Sequence, residues 1–181
     1  MTFLILHGIG GYAGIHWEGW LSRKLASSGH TVLMPNLPNP SHPDREAWLE
    51  AAKHSLSEVD HDKLVIIAHS LGVTTALDYI EQNPVLGLVS VSGFANDYNA
   101  ELNSYFLREK TIDFALVRPN IKTAIVFYGD NDPYVPQDSL AELAAGLGAH
   151  PHVVHSGGHL NSDAGYSEFP ELLTAIIASF Q

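Results

Sequence analysis

Short apolar runs alternate with helical patterns along the whole chain. Several of these runs are apolar at every position, which is typical of strands buried on both faces of a parallel sheet. The predicted strands cover residues 3–6, 31–34, 64–68, 86–91, 124–128 and 152–154.

Apolar residues recur at helical spacing between these strands and after the last one. The pattern predicts amphipathic helices within residues 17–25, 48–56, 73–80, 140–147 and 172–180. We interpret their apolar side chains as core. An acyl pocket built from Trp17, Trp20 and Trp48 is the less favoured alternative. The alternation predicts an α/β fold in which residues 1–181 form one domain, with about six parallel strands and helices on both faces of the sheet.

Residues 94–120 fit this alternation least well. The segment begins with polar, loop-like residues, and Tyr105, Phe106 and Leu107 could form a short helix. It lies between two strands, where a cover over an active site could be placed. An ordinary crossover helix with long loops fits the pattern equally well.

Composition and charge narrow the class of function. The chain has 181 residues, and 9 Lys and Arg against 20 Asp and Glu give a formal net charge of −11. This charge argues against nucleic acid and anionic membranes as partners, because both attract basic surfaces. The chain has no cysteine, which excludes disulfides and a cysteine nucleophile. No apolar run approaches the roughly 18 residues of a membrane span. The N-terminus also lacks a signal-peptide pattern, so we expect a cytoplasmic protein.

The strongest chemical signal is the transition from a buried strand through residues 68–72, Ala-His-Ser-Leu-Gly, into a helical pattern. A serine on a sharp strand-to-helix turn projects its hydroxyl above the sheet, and this arrangement is the nucleophile elbow. Small residues are needed two positions before and after the serine, because strand and helix approach closely there. Ala68 stands where glycine is more usual. The pattern therefore predicts Ser70 as the nucleophile.

A serine hydroxyl needs a base, and in this type of fold the acid and the histidine follow the serine in that order. Asp132 follows the strand at 124–128, and His159 follows the last predicted strand. We expect His159 to accept the Ser70 proton and Asp132 to orient the imidazole. Asp130 and Asp163 are the alternative acids, and we favour Asp132.

Backbone N–H groups should form an oxyanion hole for this serine. One is expected from Leu71, directly after the nucleophile. The other is expected from Ile9 in the loop after the first strand, where Gly8 would let the chain turn. The glycines of that loop do not match a dinucleotide-binding or phosphate-binding spacing, so no cofactor is expected.

These motifs resemble the small α/β-hydrolase-fold serine hydrolases that include bacterial YdeN and mammalian retinoblastoma-binding serine hydrolases. The resemblance extends over nearly the whole chain. It is carried by His7-Gly8, residues 16–21, residues 34–36 and 38–40, Trp48-Leu49, residues 68–72, residues 91–95, Asp132 with Val135-Pro136, and residues 157–159. It implies a compact fold that lacks the first two strands of larger relatives, and carboxylic-ester hydrolysis as the activity. Alanine at the position of Ala68 also occurs in the bacterial branch.

The closely spaced histidines near the end of the chain raise the question of a metal site. His150, His152, His155 and His159 are closely spaced, but Pro151 and a strand-like alternation would separate their side chains, so no metal site is expected.

The predicted function is hydrolysis of small carboxylic esters through a Ser-Asp-His triad. An amidase, a peptidase or a thioesterase could use the same triad, and a non-catalytic interaction protein could retain the same fold.

Overall fold

The computed structural model describes residues 1–180, which contain one six-stranded sheet. All neighbouring strands run parallel, in the order β2-β1-β3-β4-β5-β6. The strands are β1 (Thr2–Leu6), β2 (Thr31–Leu33), β3 (Leu64–His69), β4 (Val85–Val91), β5 (Ile121–Gly129) and β6 (His152–Val154). The predicted fold class and all six strands are confirmed. Strand β5 begins at Ile121 rather than at residue 124, because the first residues of β5 pair with the start of β4 although Lys122 interrupts the apolar run.

Helices connect the strands and cover both faces of the sheet. They are α1 (Glu18–Ser27), α2 (Arg45–Ser55), α3 (Gly72–Ile80), α4 (Ser104–Arg108), α5 (Phe114–Val117), α6 (Gln137–Leu147) and α7 (Pro170–Phe180). Helix α6 ends at Gly148, whose φ of 69° is a left-handed conformation that glycine adopts without steric cost. No helix within residues 1–180 combines the length and the apolar character that crossing a membrane requires.

Alternate side chains of the central strands enter two separate cores. On one face, Leu4 and Ile66 pack with residues of α2, α3 and α6. On the other face, Phe3 and Val65 pack with residues of α1 and α7. This two-residue alternation follows from the pleat of a strand. It explains why the central strands are apolar at most positions, since neither face meets solvent.

The strand order places a crevice at the carboxyl ends of β1 and β3. From β1 the chain first goes to β2 on one side, and β3 then lies on the other side of β1. Helix α1 after β1 packs on one face and α3 after β3 packs on the other. The loops that leave β1 and β3 therefore diverge, and open α/β sheets bind their ligands at such a point.

The segment 94–120 contains α4, as predicted for Tyr105 to Leu107, and the shorter α5. Arg45 on α2 pairs with Asp78 and donates hydrogen bonds to the carbonyl oxygens of Phe106 and Lys110. Arg45 is 4% exposed, so these bonds are shielded from solvent. Residues 106–110 are therefore fixed to α2, whereas residues 98 and 100–103 line the crevice.

Candidate active site

The elbow after β3 holds Ser70 in a conformation that is rare for a residue with a side chain. Its φ is 53°, and its N–H donates to the carbonyl oxygen of Val91 at 2.9 Å. A Cβ on Gly72 would lie 2.5 Å from the carbonyl oxygen of His7. Glycine is thus required two positions after the nucleophile, because the start of α3 contacts the end of β1 there.

His159 bridges Ser70 and Asp132. Its Nε2 lies 3.0 Å from Ser70 Oγ, and its Nδ1 lies 2.7 Å from Asp132 Oδ2. A carboxylate can only accept, so Nδ1 carries the proton and Nε2 is the acceptor for the Ser70 hydroxyl. The structure therefore brings the three predicted residues together in the order that proton transfer needs.

Asp132 is held in this orientation by its own loop. Its Oδ1 accepts hydrogen bonds from the backbone N–H groups of Tyr134 at 2.9 Å and Val135 at 3.0 Å. Its side chain is 0% exposed. With Oδ1 used by the loop, Oδ2 is left for His159, and both oxygens have partners.

Asp130 forms a second Asp–His pair on the same two loops. Its Oδ2 lies 2.8 Å from His155 Nδ1, and the side chain of His155 is 91% exposed. The hydrogen bond from His155, together with the N–H of Ser156, lowers the pKa of Asp130. The two pairs have similar bond lengths, but only the His159 pair is buried and reaches a serine. Asp163 lies exposed on the short turn Ser162–Ala164.

His7 orients the loop that was expected to supply the first oxyanion donor. The Gly8 carbonyl oxygen accepts from His7 Nδ1 at 2.8 Å and from the Gly11 N–H at 3.1 Å, and His7 Nε2 accepts from the Leu37 N–H. Burial lowers the pKa of His7, which favours the neutral ring that this accepting role needs. In a trans peptide the N–H points away from the C=O. The Ile9 N–H is therefore directed away from the two groups that hold the Gly8 oxygen.

The role of Gly8 differs from the one expected from the sequence. Gly8 is not among the residues with positive φ, so the chain does not need it for a left-handed turn. Instead, a Cβ at this position would lie 2.8 Å from Ser70 Cβ. Glycine is required here because the loop after β1 passes directly against the nucleophile.

Two buried rings hold the backbone that carries His159. His69 Nε2 donates to the His159 carbonyl oxygen at 3.0 Å, and Trp17 Nε1 donates to the Leu160 carbonyl oxygen at 2.9 Å. Burial lowers the pKa of His69 well below its ordinary value, so the ring is neutral. Leu160 has a φ of 50°. Sequence reasoning did not identify this role, because nothing in the local pattern around Trp17 or His69 indicates which distant carbonyl each ring reaches.

The structure also places the three tryptophans and three of the four closely spaced histidines. Trp17, Trp20 and Trp48 pack in the cores and are absent from the lining of the active-site cavity among the described residues. These three histidines have different partners. His152 stacks on the ring of Phe127, while His155 and His159 form hydrogen bonds with separate aspartates.

A cavity of about 500 Å³ opens beside Ser70 and His159. The loop after β1 forms one part of its wall and residues 98 and 100–103 form another. Glu101 and Asp163 contribute carboxylates to the lining, and no Lys or Arg of the described chain lines it. The volume suits a small organic molecule.

Comparisons of the sequence and of the structure with known proteins point to the same family. The family model for serine hydrolases matches residues 3–177. The chain is 27% identical to hydrolase YdeN of Bacillus subtilis, over 97% of this chain and 94% of that protein. It is 28% identical to serine hydrolase RBBP9 of Rattus norvegicus, over 92% and 88% of the two chains. The crystal structure of the B. subtilis ydeN product superposes with a TM-score of 0.91, covering 99% of this chain and 98% of that one.

Proposed function

The chain belongs to the serine hydrolase family, and we propose that it hydrolyses small carboxylic esters through an acyl-enzyme formed on Ser70. The continuous path from Ser70 Oγ through His159 to Asp132, with contacts of 3.0 and 2.7 Å, is the observation that carries this proposal. The chain is an enzyme of the hydrolase class.

In the first half of the reaction, Ser70 Oγ attacks the ester carbonyl carbon while His159 Nε2 takes the hydroxyl proton. Negative charge develops on the carbonyl oxygen, where the N–H groups of Ile9 and Leu71 would stabilise it. The bond to the alcohol then breaks, and the proton on His159 passes to the departing oxygen. The acyl group remains on Ser70.

In the second half, His159 Nε2 takes a proton from a water molecule as the water attacks the acyl carbon. The bond to Ser70 Oγ breaks, the proton returns to that oxygen, and the carboxylic acid leaves. Asp132 keeps Nδ1 protonated throughout and stabilises the imidazolium that forms twice in each cycle. No cofactor is needed for these steps.

The cavity supports small substrates in particular. Its volume of about 500 Å³ lies in the range of sites that hold a small organic molecule. We therefore propose short esters as substrates, without a requirement for a lipid surface.

Competition between two acceptors tests the acyl-enzyme. Esters of one short acid with several different alcohols are hydrolysed in the presence of hydroxylamine, which competes with water for the acyl group. A common acyl-Ser70 intermediate gives the same ratio of hydroxamate to free acid for every alcohol. A ratio that changes with the alcohol would contradict the proposal, as would undiminished turnover by Ser70→Ala.

A further inference from the structure

Within the described chain, the hydroxyl of Tyr98 has a hydrogen-bond donor beside it but no acceptor for its own proton. Tyr98 and Asn103 both line the active-site cavity, and Asn103 Nδ2 donates to the Tyr98 hydroxyl oxygen at 3.0 Å. Because a donor already faces that oxygen, the hydroxyl proton points away from Asn103. Among residues 1–180, no oxygen or nitrogen accepts this proton. It is therefore available to a molecule bound in the cavity.

Tyr98 can serve as a donor over a wide pH range. Burial of the side chain raises the pKa of its phenol above the ordinary value of 10.0, and the charges of Asp132 and Asp97 act in the same direction. Both effects favour the protonated phenol. The ring is further positioned by an edge-to-face contact with Phe94, with ring centroids 5.1 Å apart.

Asn103 leaves a second polar group unpaired in the same place. Its side chain is buried, at 3% exposure, and its Oδ1 has no hydrogen-bond partner within the described chain. Buried acceptors are nearly always paired in folded proteins. Protein atoms cover this oxygen in the present conformation, so a donor from a ligand reaches it once the Asn103 side chain shifts toward the cavity. A hydroxyl group can accept from Tyr98 and donate to an amide oxygen.

The charge of the cavity limits which groups of a substrate can accept the Tyr98 proton. Glu101 and Asp163 both line it, and the nearby Arg108 is paired with Asp97. A carboxylate or phosphate on the substrate would be repelled by these carboxylates. A neutral oxygen is not subject to this repulsion.

We propose that Tyr98 and Asn103 select esters that carry a neutral hydroxyl group. The hydroxyl oxygen accepts the Tyr98 proton, and the hydroxyl proton is directed toward Asn103 Oδ1. This inference rests on the proposed ester hydrolysis and identifies the substrate class within it. Tyr98 acts on specificity and not on the bond-breaking steps.

Two pairs of esters that replace a methyl group with a hydroxyl group test this inference. The acyl pair consists of 3-hydroxypropionyl and butyryl esters of one alcohol. The alcohol pair consists of the monoacetate of propane-1,3-diol and the acetate of butan-1-ol. For each pair, the ratio of kcat/KM for the hydroxyl ester to kcat/KM for the methyl ester is measured in the wild type and in Tyr98→Phe. Comparing the two proteins removes the intrinsic reactivity of the esters.

We expect this ratio to fall about 3- to 10-fold in Tyr98→Phe for the pair that places its hydroxyl against Tyr98, which is the effect of one neutral hydrogen bond. The matched control is Tyr12→Phe, since Tyr12 is 60% exposed and lies outside the cavity lining; its ratio should equal that of the wild type. An unchanged ratio in both pairs, or an equal loss for all four esters, would overturn the inference. Labelling of Tyr98→Phe by a fluorophosphonate at the wild-type rate separates these results from a damaged triad.

Discussion

Replacing Asp132 by Asn should stop turnover by reversing a single hydrogen bond. Asp132 Oδ1 accepts from the Tyr134 and Val135 N–H groups, so the Asn oxygen must stay on that side to keep both bonds. Losing both bonds would destabilise the loop, most of all at the part-buried Val135 N–H, since an unpaired buried donor costs about 1–3 kcal/mol. The Asn amide nitrogen must then face His159 Nδ1, which lies 2.7 Å from the present Oδ2.

The reversed bond selects the wrong tautomer of His159. An amide N–H facing Nδ1 requires that Nδ1 accept, so the ring proton moves to Nε2 and faces Ser70. A protonated Nε2 cannot accept the Ser70 proton. A wrong-tautomer histidine in a serine protease triad lowers kcat by about 10⁴-fold, which corresponds to about 5.4 kcal/mol of transition-state free energy. We expect a loss of this order.

Asp130→Asn is the matched control, because Asp130 makes the same type of bond to His155 on the exposed side of the same loops. The assay is kcat/KM on a short ester whose alcohol does not titrate near neutral pH, with thermal unfolding of both variants. We expect Asp130→Asn to keep nearly the wild-type rate and both variants to stay folded. A crippled Asp130→Asn beside an active Asp132→Asn would refute the assignment of the acid.

Three further changes test other parts of the structure. His69→Phe removes the donor to the His159 carbonyl and should lower kcat more than it changes KM. A variant that loses folding stability but keeps the wild-type kcat would contradict this. Gly8→Ala places a Cβ 2.8 Å from Ser70 Cβ and should lower kcat at least about 100-fold, as loss of an oxyanion donor does. A rate near that of the wild type would argue against the loop after β1 as the source of an oxyanion donor. Glu18 is fully buried and its pKa is raised well above 4.5 by burial, so only the unfolded state ionises at intermediate pH and stability falls as the pH rises above about 4.5. Denaturant unfolding should therefore show that Glu18→Gln is more stable than the wild type near neutral pH, with the advantage shrinking toward pH 4.5.

Local patterns predicted the fold and the meeting of the three site residues because each rests on neighbouring positions. Apolar runs such as 64–68 become strands because both of their faces are buried. The elbow could be found because a strand, a serine and a helix follow one another without interruption. Once the strands are parallel, Ser70, Asp132 and His159 must lie at the same edge of the sheet, since each follows a carboxyl end.

The contacts that were not predicted join residues far apart in the sequence. The His69 ring reaches the carbonyl of His159, and Arg45 reaches the carbonyls of Phe106 and Lys110. Such contacts depend on the packing of whole elements and leave no periodic signal in the chain. The same holds for Gly8, whose contact with Ser70 exists only when β1 and β3 are paired.

Site-specific labelling of Ser70 is the most direct test of the central claim. The purified protein is treated with a fluorophosphonate, digested, and analysed by mass spectrometry for the modified residue. We expect one adduct per chain, on Ser70, with labelling strongly slowed in His159→Ala and in Asp132→Asn and absent in Ser70→Ala. An adduct on another residue that accounts for loss of activity, or full ester turnover by a protein that cannot be labelled at Ser70, would contradict the account.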